Sequence, residues 1–505
     1  MLANGTRTRQ AYNGALTSAL QFVLQLAMNA TLLPLVLKYA GTEALGTFSI
    51  LMQASSYLSL VDMGFNVALG RNLAQTWNSN DDKASFWRVF LTGKRFNLLT
   101  SSLISVLTLT VGLHSQSMFG LSPLVAGDAR TAFCILAVAA LIKGTSATYV
   151  SALTATQNLA ASNLIALGSQ AVRTVGSLVL VASGWGVVGL TIANVIADLT
   201  TVFANRAYFR HRFGSAPTAN RASFDLLMKM LRFGFTYVLC SLGSKLFLTT
   251  DLLVVGHLHG AVAAASYYTT QMPAFLLMTL VWRITDNSAP AINDLYARTH
   301  FSRIKQVYVD LFRINLVAAG GLSLGLVCFS REIITMWTSA EQYAGARMTL
   351  ALAVFVVTQI VSHLHAAFLL AAGKISPLAI SSFIAGVANV VLSVILGRLM
   401  GPEGVMVASV VVDIPLCLFL WRNLVTEYDV SVQSLLSGAV LPAAGVCVPL
   451  ALLGYFLSSS SSPSGRATIL RASLFFLGWA GLTLWIGLPQ SLKAQVFRHR
   501  RWVTL

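Results

Sequence analysis

The sequence predicts an all-α polytopic membrane protein of about fourteen transmembrane helices, arranged as two six-helix lobes and a C-terminal helix pair. Three observations lead there. Apolar runs of around 20 residues recur along the whole 505-residue chain, each long enough to cross a hydrocarbon core of about 30 Å. Charged residues make up only 10% of the chain and its mean hydropathy is +0.72, too little charge to cover a soluble surface of this size. A block of spaced glycines and aspartates in the first half also returns in the second.

Taken in order, the first run (13–37) follows the polar start MLANGTRTRQ, which has no A-x-A cleavage pattern and reads as a retained helix. Gln21, Gln25 and Asn29 fall at i, i+4 and i+8 and so share one face. Such a stripe is poorly solvated against lipid and should face a cavity or another helix. A glycine-bearing turn from Gly41 to Gly46 leads into 44–69, which holds Asp62 within its apolar span and ends at Arg71. Runs at 90–113, 130–151 (with Lys143), 158–182 (with Arg173) and 187–208 complete the first lobe, assigned to residues 1–212. The second lobe, 213–425, holds 227–255 (Lys245, Asp251), 262–289 (Arg283, Asp286), 307–329, 346–371, 376–398 and 403–423. Runs 434–457 and 468–488 form the terminal pair, which with a basic tail occupies 426–505.

The formal charge of +17 does not indicate nucleic acid, because its positions follow the loops. With the N-terminus inside, alternate links collect Arg7 and Arg9, then Arg71, Lys83, Arg88, Lys94 and Arg95, then Arg206, Arg210, Arg212 and Arg221. Further along come Arg298, Arg303, Lys305, Lys374, Arg422 and the tail residues Lys493, Arg498, Arg500 and Arg501. The opposite links are sparse in Lys and Arg, so both termini are expected to be cytoplasmic. Some of the excess suits anionic lipid head groups. No link exceeds about 20 residues, which leaves no room for a soluble domain.

The duplication is specific in its spacing. Gly186-Val187-Val188-Gly189 followed by Ala193, Val195 and Asp198 returns as Gly401-Pro402-Glu403-Gly404 followed by Ala408, Val410 and Asp413. Upstream, Val175, Ser177 and Leu180 correspond to Val391, Ser393 and Leu396. An even number of spans per half makes such a repeat parallel.

Catalytic and metal chemistry are not indicated. Ala372-Gly373-Lys374-Ile375 lacks the glycine loop and hydroxyl of a phosphate-binding loop. His363 and His365, two apart on a helix, point to different faces. The five cysteines are scattered and have no metal spacing. What stands out instead is charge at membrane depth. A carboxylate there costs roughly 2.5–3.5 kcal/mol on insertion scales and is normally turned toward protein or a water-filled cavity. Structural pairing is the plain alternative: Arg283 and Asp286 are i,i+3 and within reach of each other, whereas Lys245 and Asp251 at i,i+6 align less well.

The stretch Tyr39-Ala40-Gly41-Thr42-Glu43-Ala44-Leu45-Gly46, with Leu60-Val61-Asp62-Met63-Gly64-Phe65 and Arg71-Asn72-Leu73-Ala74, resembles the first helical hairpin of the polysaccharide and oligosaccharide flippases. These belong to the multidrug/oligosaccharidyl-lipid/polysaccharide (MOP) exporter superfamily, whose fourteen-helix members share the plan of two lobes plus a terminal pair. The resemblance implies a non-enzymatic flippase for undecaprenyl diphosphate-linked oligosaccharide in a bacterial inner membrane, working by alternating access of two lobes around a cationic cavity. It implies that runs 1, 2, 7 and 8 line that cavity. Arg283 and Lys245 are then expected to be diphosphate ligands, Arg71 an attractor at the cytoplasmic mouth, and Gln25 and Asn29 hydrogen-bonding groups. Asp62, Asp251 and Asp286 would pair with these cations or bind a coupling cation. No cofactor is expected beyond a coupling proton or sodium ion. The implied partners are the lipid-linked glycan, membrane lipids, and the polymerase and export proteins of a polysaccharide pathway. Three other readings are a lipid II-type flippase, a multidrug/toxin extrusion antiporter and a membrane glycan polymerase or glycosyltransferase. An antiporter for organic cations predicts an acidic cavity, and a polymerase predicts a large outer loop.

Overall fold

The computed structural model describes residues 2–58, 60–78, 83–215, 222–459, 465–489 and 493. Among the described residues the chain is helical, as a backbone in hydrocarbon must be to satisfy its own N–H and C=O groups. The helices run α1 (Leu2–Ala40), α2 (Thr42–Leu58), α3 (Leu60–Asn78), α4 (Lys83–Leu113), α5 (Ser115–Phe119), α6 (Pro123–Ala155), α7 (Leu159–Ala182) and α8 (Gly186–Phe213). They continue as α9 (Phe224–Thr249), α10 (Asp251–Ala297), α11 (Phe301–Trp337), α12 (Ala346–Ala371), α13 (Ile375–Met400) and α14 (Pro402–Tyr428). The last are the short α15 (Val432–Leu435), then α16 (Leu441–Ser459) and α17 (Gly465–Leu482), with π-turns at Leu436–Val440 and Thr483–Gly487.

Among the described residues, 12 stretches are long and apolar enough to cross a membrane. One of them, Ser241–Ala297, is 57 residues long, about 85 Å of helix, or more than two bilayer crossings. It is broken at Gly260, whose φ of 82° and ψ of 175° are not helical. α2 and α3 flank residue 59, which lies outside the described residues, and neither piece alone qualifies. The count of about fourteen spans is therefore consistent with the architecture.

The chain forms two compact units, residues 1–245 with 255–265, and residues 246–254 with 266–505. Within the first unit α4, α6 and α8 pack together, and α1 lies on α7. An aromatic core joins their ends: Phe90 and Phe209 stack at 5.0 Å, with Tyr149 and Trp87 edge-on to Phe209 at 5.5 Å and 5.9 Å. Within the second unit α12, α13 and α14 pack together, and α11 carries α16 and α17. Here Tyr428 is the core anchor, its Oη donating to the Phe368 carbonyl at 2.8 Å.

The repeated glycines have a shared steric cause. A Cβ on Gly404 would sit 2.1 Å from the Leu396 carbonyl oxygen, and one on Gly189 would sit 3.0 Å from the Leu180 Cβ. Both glycines let the first turn of one helix lie directly on the end of the preceding one, where Leu180 and Leu396 are themselves a repeated pair.

Candidate functional site

The first unit contains a cavity of about 470 Å³, within the range of small-ligand pockets. Its wall is mainly apolar, with polar groups supplied by Ser55, Ser56, Ser101, Ser146, Thr201 and Asn194. α6 and α8 project the two charged wall residues, Lys143 and Asp198, into a 2.6 Å ion pair.

Two further cations stand one hydrogen bond behind the wall. Lys245 on α9 donates from Nζ to the Ser56 carbonyl at 3.2 Å, and Tyr57 returns a bond from Oη to the Lys245 carbonyl at 2.9 Å. Arg173 on α7 donates to the amide oxygens of Asn194 (3.4 Å) and Gln170. Gln170 in turn donates to Asn29 Oδ1 on α1 at 3.2 Å. The polar stripe of the first helix thus reaches the cavity wall through Gln170, Arg173 and Asn194. Gln25 is half-buried, one turn before Asn29. Arg71 is exposed on α3, and the side chain of Asp62 lies outside the described residues.

The remaining predicted residues fall in the second unit. Asp251, at the start of α10, is buried and enclosed by neutral donors: Ser409 Oγ at 2.8 Å, Tyr267 Oη at 3.1 Å and Asn389 Nδ2 at 3.2 Å. Asn389 also donates to the Phe247 carbonyl at 3.1 Å. Asp286 is exposed and accepts from His363 Nε2 at 2.8 Å, a partner on α12 and not the neighbouring Arg283. The His363 ring is held by stacking on Trp282 at 4.7 Å. Arg283 is exposed on the same helix. Lys245 and Asp251, close in sequence, belong to different units and have separate partners.

Two residues of this geometry were not marked as site residues in the sequence. Asp198 was visible only as a repeat marker, and Asn194 not at all. Their signal is the position of Asp198 at the same repeat offset as Asp413, opposite a helix whose apolar span holds a lysine.

Comparison with known proteins agrees with this architecture. The polysaccharide biosynthesis protein family matches residues 13–296, more than half of the chain. The chain belongs to that family. The MatE family matches residues 237–395. Among solved structures, the lipid II flippase MurJ in an inward closed conformation superposes with a TM-score of 0.70 at 14% identity, covering 93% of this chain and 97% of that one. An inward-facing multidrug resistance MATE family transporter of the MOP superfamily gives 0.66 at 14% identity, covering 81% and 99%. A MOP superfamily transporter from Pyrococcus furiosus, described as having a binding pocket of reverse polarity, gives 0.60 at 16% identity, covering 83% and 96%. A search of curated proteins found no match. The protein is a multi-pass membrane protein of the polysaccharide biosynthesis family, and it shares its fold with the flippase and transporter structures named above.

Proposed function

We propose that this protein flips an undecaprenyl diphosphate-linked oligosaccharide across a bacterial cytoplasmic membrane for O-antigen, capsule or exopolysaccharide synthesis, with both termini in the cytoplasm. The observation that carries this reading is that the polysaccharide-biosynthesis match covers the half of the chain whose cavity sets several hydroxyls, Asn194 and Lys143 into a mainly apolar wall, with Arg173 and Lys245 one hydrogen bond behind it. Hydroxyl and amide groups suit a glycan, while Lys and Arg suit a diphosphate, Arg through its bidentate fork. The lipid tail stays in the bilayer, and alternating access carries the head group across. Lys245 and Arg283 act on the diphosphate and Arg71 draws it to the cytoplasmic mouth. Gln25 and Asn29 support the wall, while Asp62, Asp251 and Asp286 pair with cations or take part in coupling. Polymerase and export proteins of the same pathway are its natural partners.

The test is complementation of a flippase-deficient, polysaccharide-producing strain, comparing native protein with Arg283→Ala and Lys245→Ala at matched membrane levels. Surface glycan restored by the native chain and lost in both variants is the expected result. Restoration by all three removes these two residues from the site. A second reading, a lipid II-type flippase, is favoured by the likeness to MurJ; rescue of cells depleted of their lipid II flippase, with no rescue of the polysaccharide strain, would replace the first.

A further inference from the structure

The duplication extends further than its glycines. In the first unit, Lys143 on α6 contacts Asp198 on α8, 55 residues later. In the second, Thr358 on α12 contacts Asp413 on α14, again 55 residues later. The same aspartate therefore meets the same partner position in both halves, but the partner is an ammonium in one and a hydroxyl in the other. The surroundings differ accordingly. The Asp198 side chain is 27% exposed and ion-paired, whereas Asp413 is fully buried. Among the described residues, none of the ion pairs includes Asp413.

The hydrogen bonds around Asp413 accommodate a neutral acid. Gln359 Nε2 lies 2.9 Å and Ser362 Oγ 3.5 Å from Oδ1, both as donors. Oδ2 faces Thr358 Oγ, which also lies 3.1 Å from the Phe355 carbonyl. With a proton on Oδ2 the bonds run in series: Oδ2–H donates to Thr358 Oγ, and Thr358 donates to Phe355. Oδ1 is then the acceptor oxygen of the acid. A charged carboxylate buried at membrane depth would need a cation in the same place.

We propose that the position opposite the repeated aspartate is a monovalent-cation site in both halves, filled permanently by the tethered Lys143 ammonium in the first and by an exchangeable proton on Asp413 in the second. Proton exchange leaves a carboxylate and passes the proton to water, with Thr358, Gln359 and Ser362 remaining as donors to the charged form. Cys417 lies one turn along α14, and His365 on α12 stacks on Phe312 of α11 and lies beside Tyr308. The other titratable groups of α12 and α14 include His363, Arg347, Glu403 and Glu427, which are engaged in ion pairs, and Arg422. α13 contributes only Arg398, in its last turn. Of the two repeated aspartates, only Asp413 can then carry a coupling proton, because Asp198 has its cation built in. This goes beyond the flippase reading and does not depend on the glycan.

The experiment is infrared difference spectroscopy of the purified full-length protein in lipid nanodiscs across a pH titration, reading the C=O stretch of protonated carboxyl groups. Native protein should give a protonated-carboxyl signal that Asp413→Asn removes and Asp198→Asn leaves in place. Asp251→Asn identifies any contribution from the other buried aspartate. Thr358→Lys, which rebuilds the first half's pair in the second, should remove the Asp413 signal while keeping the residue. If Thr358→Lys fails to elute as a monodisperse species, the near-isosteric Asp413→Asn decides alone. A signal unchanged in Asp413→Asn overturns the proposal. So does a signal that disappears on adding sodium chloride but not choline chloride at constant pH, which would make the exchangeable ion sodium. Failure of complementation with an intact Asp413 signal would refute the flippase reading and leave this one standing.

Discussion

At the scale of single residues, the question is whether Lys143 and Asp198 serve stability or transport. Both side chains are partly open to the cavity, 51% and 27% exposed, and pairs of that kind contribute only about 0.2–1 kcal/mol. Lys143→Ala should therefore lower the thermal stability of the purified protein only slightly. On the proposed flippase function its effect on transport should be larger, because the lone Asp198 carboxylate would then repel an anionic head group within the cavity. The double variant Lys143→Ala with Asp198→Asn removes that repulsion and should recover much of the lost glycan export. If the single variant loses several kcal/mol of stability, or the double variant exports no better than the single, the pair is a structural clamp. Lys143 was legible in the sequence as a charge inside an apolar run. Its partner was not, because Asp198 and Asp413 occupy identical repeat contexts. The difference between them lies 55 residues upstream, at Lys143 or Thr358, and only tertiary packing shows that this position is the one in contact.

At the scale of elements, hydropathy locates the helices because hydrocarbon leaves the backbone no alternative to helix formation. It locates their ends poorly. α10 and α11 extend beyond the expected runs of 262–289 and 307–329 to Ala297 and Trp337, since a helix continues past the apolar stretch wherever its polar ends reach water. The second run, expected over 44–69, is helical on both sides of residue 59, as α2 and α3. The glycine turns were legible as a repeat, and packing supplies their reason. Gly404→Ala would press a methyl group to within 2.1 Å of the Leu396 carbonyl oxygen, a backbone atom, whereas Gly189→Ala meets the Trp185 and Leu180 Cβ atoms at 2.8 and 3.0 Å and backbone only at 3.3 Å. Overpacking of this kind costs about 1–3 kcal/mol, and the backbone contact should lie at the upper end. Thermal unfolding of the two variants should rank Gly404→Ala as the more destabilised. Equal effects, or a stable Gly404→Ala, would mean that the first turn of α14 can move away from α13 at little cost.

At the scale of the whole chain, the sequence suggests a terminal pair appended to two lobes, and the contacts of α16 and α17 show how firmly that pair is tied to the second unit. Phe329 of α11 packs with Leu450 and Phe475, all essentially buried. Trp479 Nε1 donates to the Val317 carbonyl at 3.3 Å. Arg313 Nε donates to the Gly487 carbonyl at 2.7 Å, and its Nη2 to that of Ile486. These carbonyls end the π-turn after α17, where helix geometry leaves acceptors without intrahelical donors. Arg313 does not stand out in the sequence, because the carbonyls it serves lie more than 170 residues away. A hydrogen bond from a charged donor contributes about 1.5–3 kcal/mol, so Arg313→Ala should destabilise the protein by about that much. Arg313→Lys, which offers one point charge in place of a fork, should recover only part of it. The terminal pair should be the region that loosens. Hydrogen–deuterium exchange of the α16 and α17 backbone, compared between native protein and Arg313→Ala in nanodiscs, should be faster in the variant. Unchanged exchange there together with lowered global stability would place the role of Arg313 in the packing of α11 itself and not in holding the terminal pair.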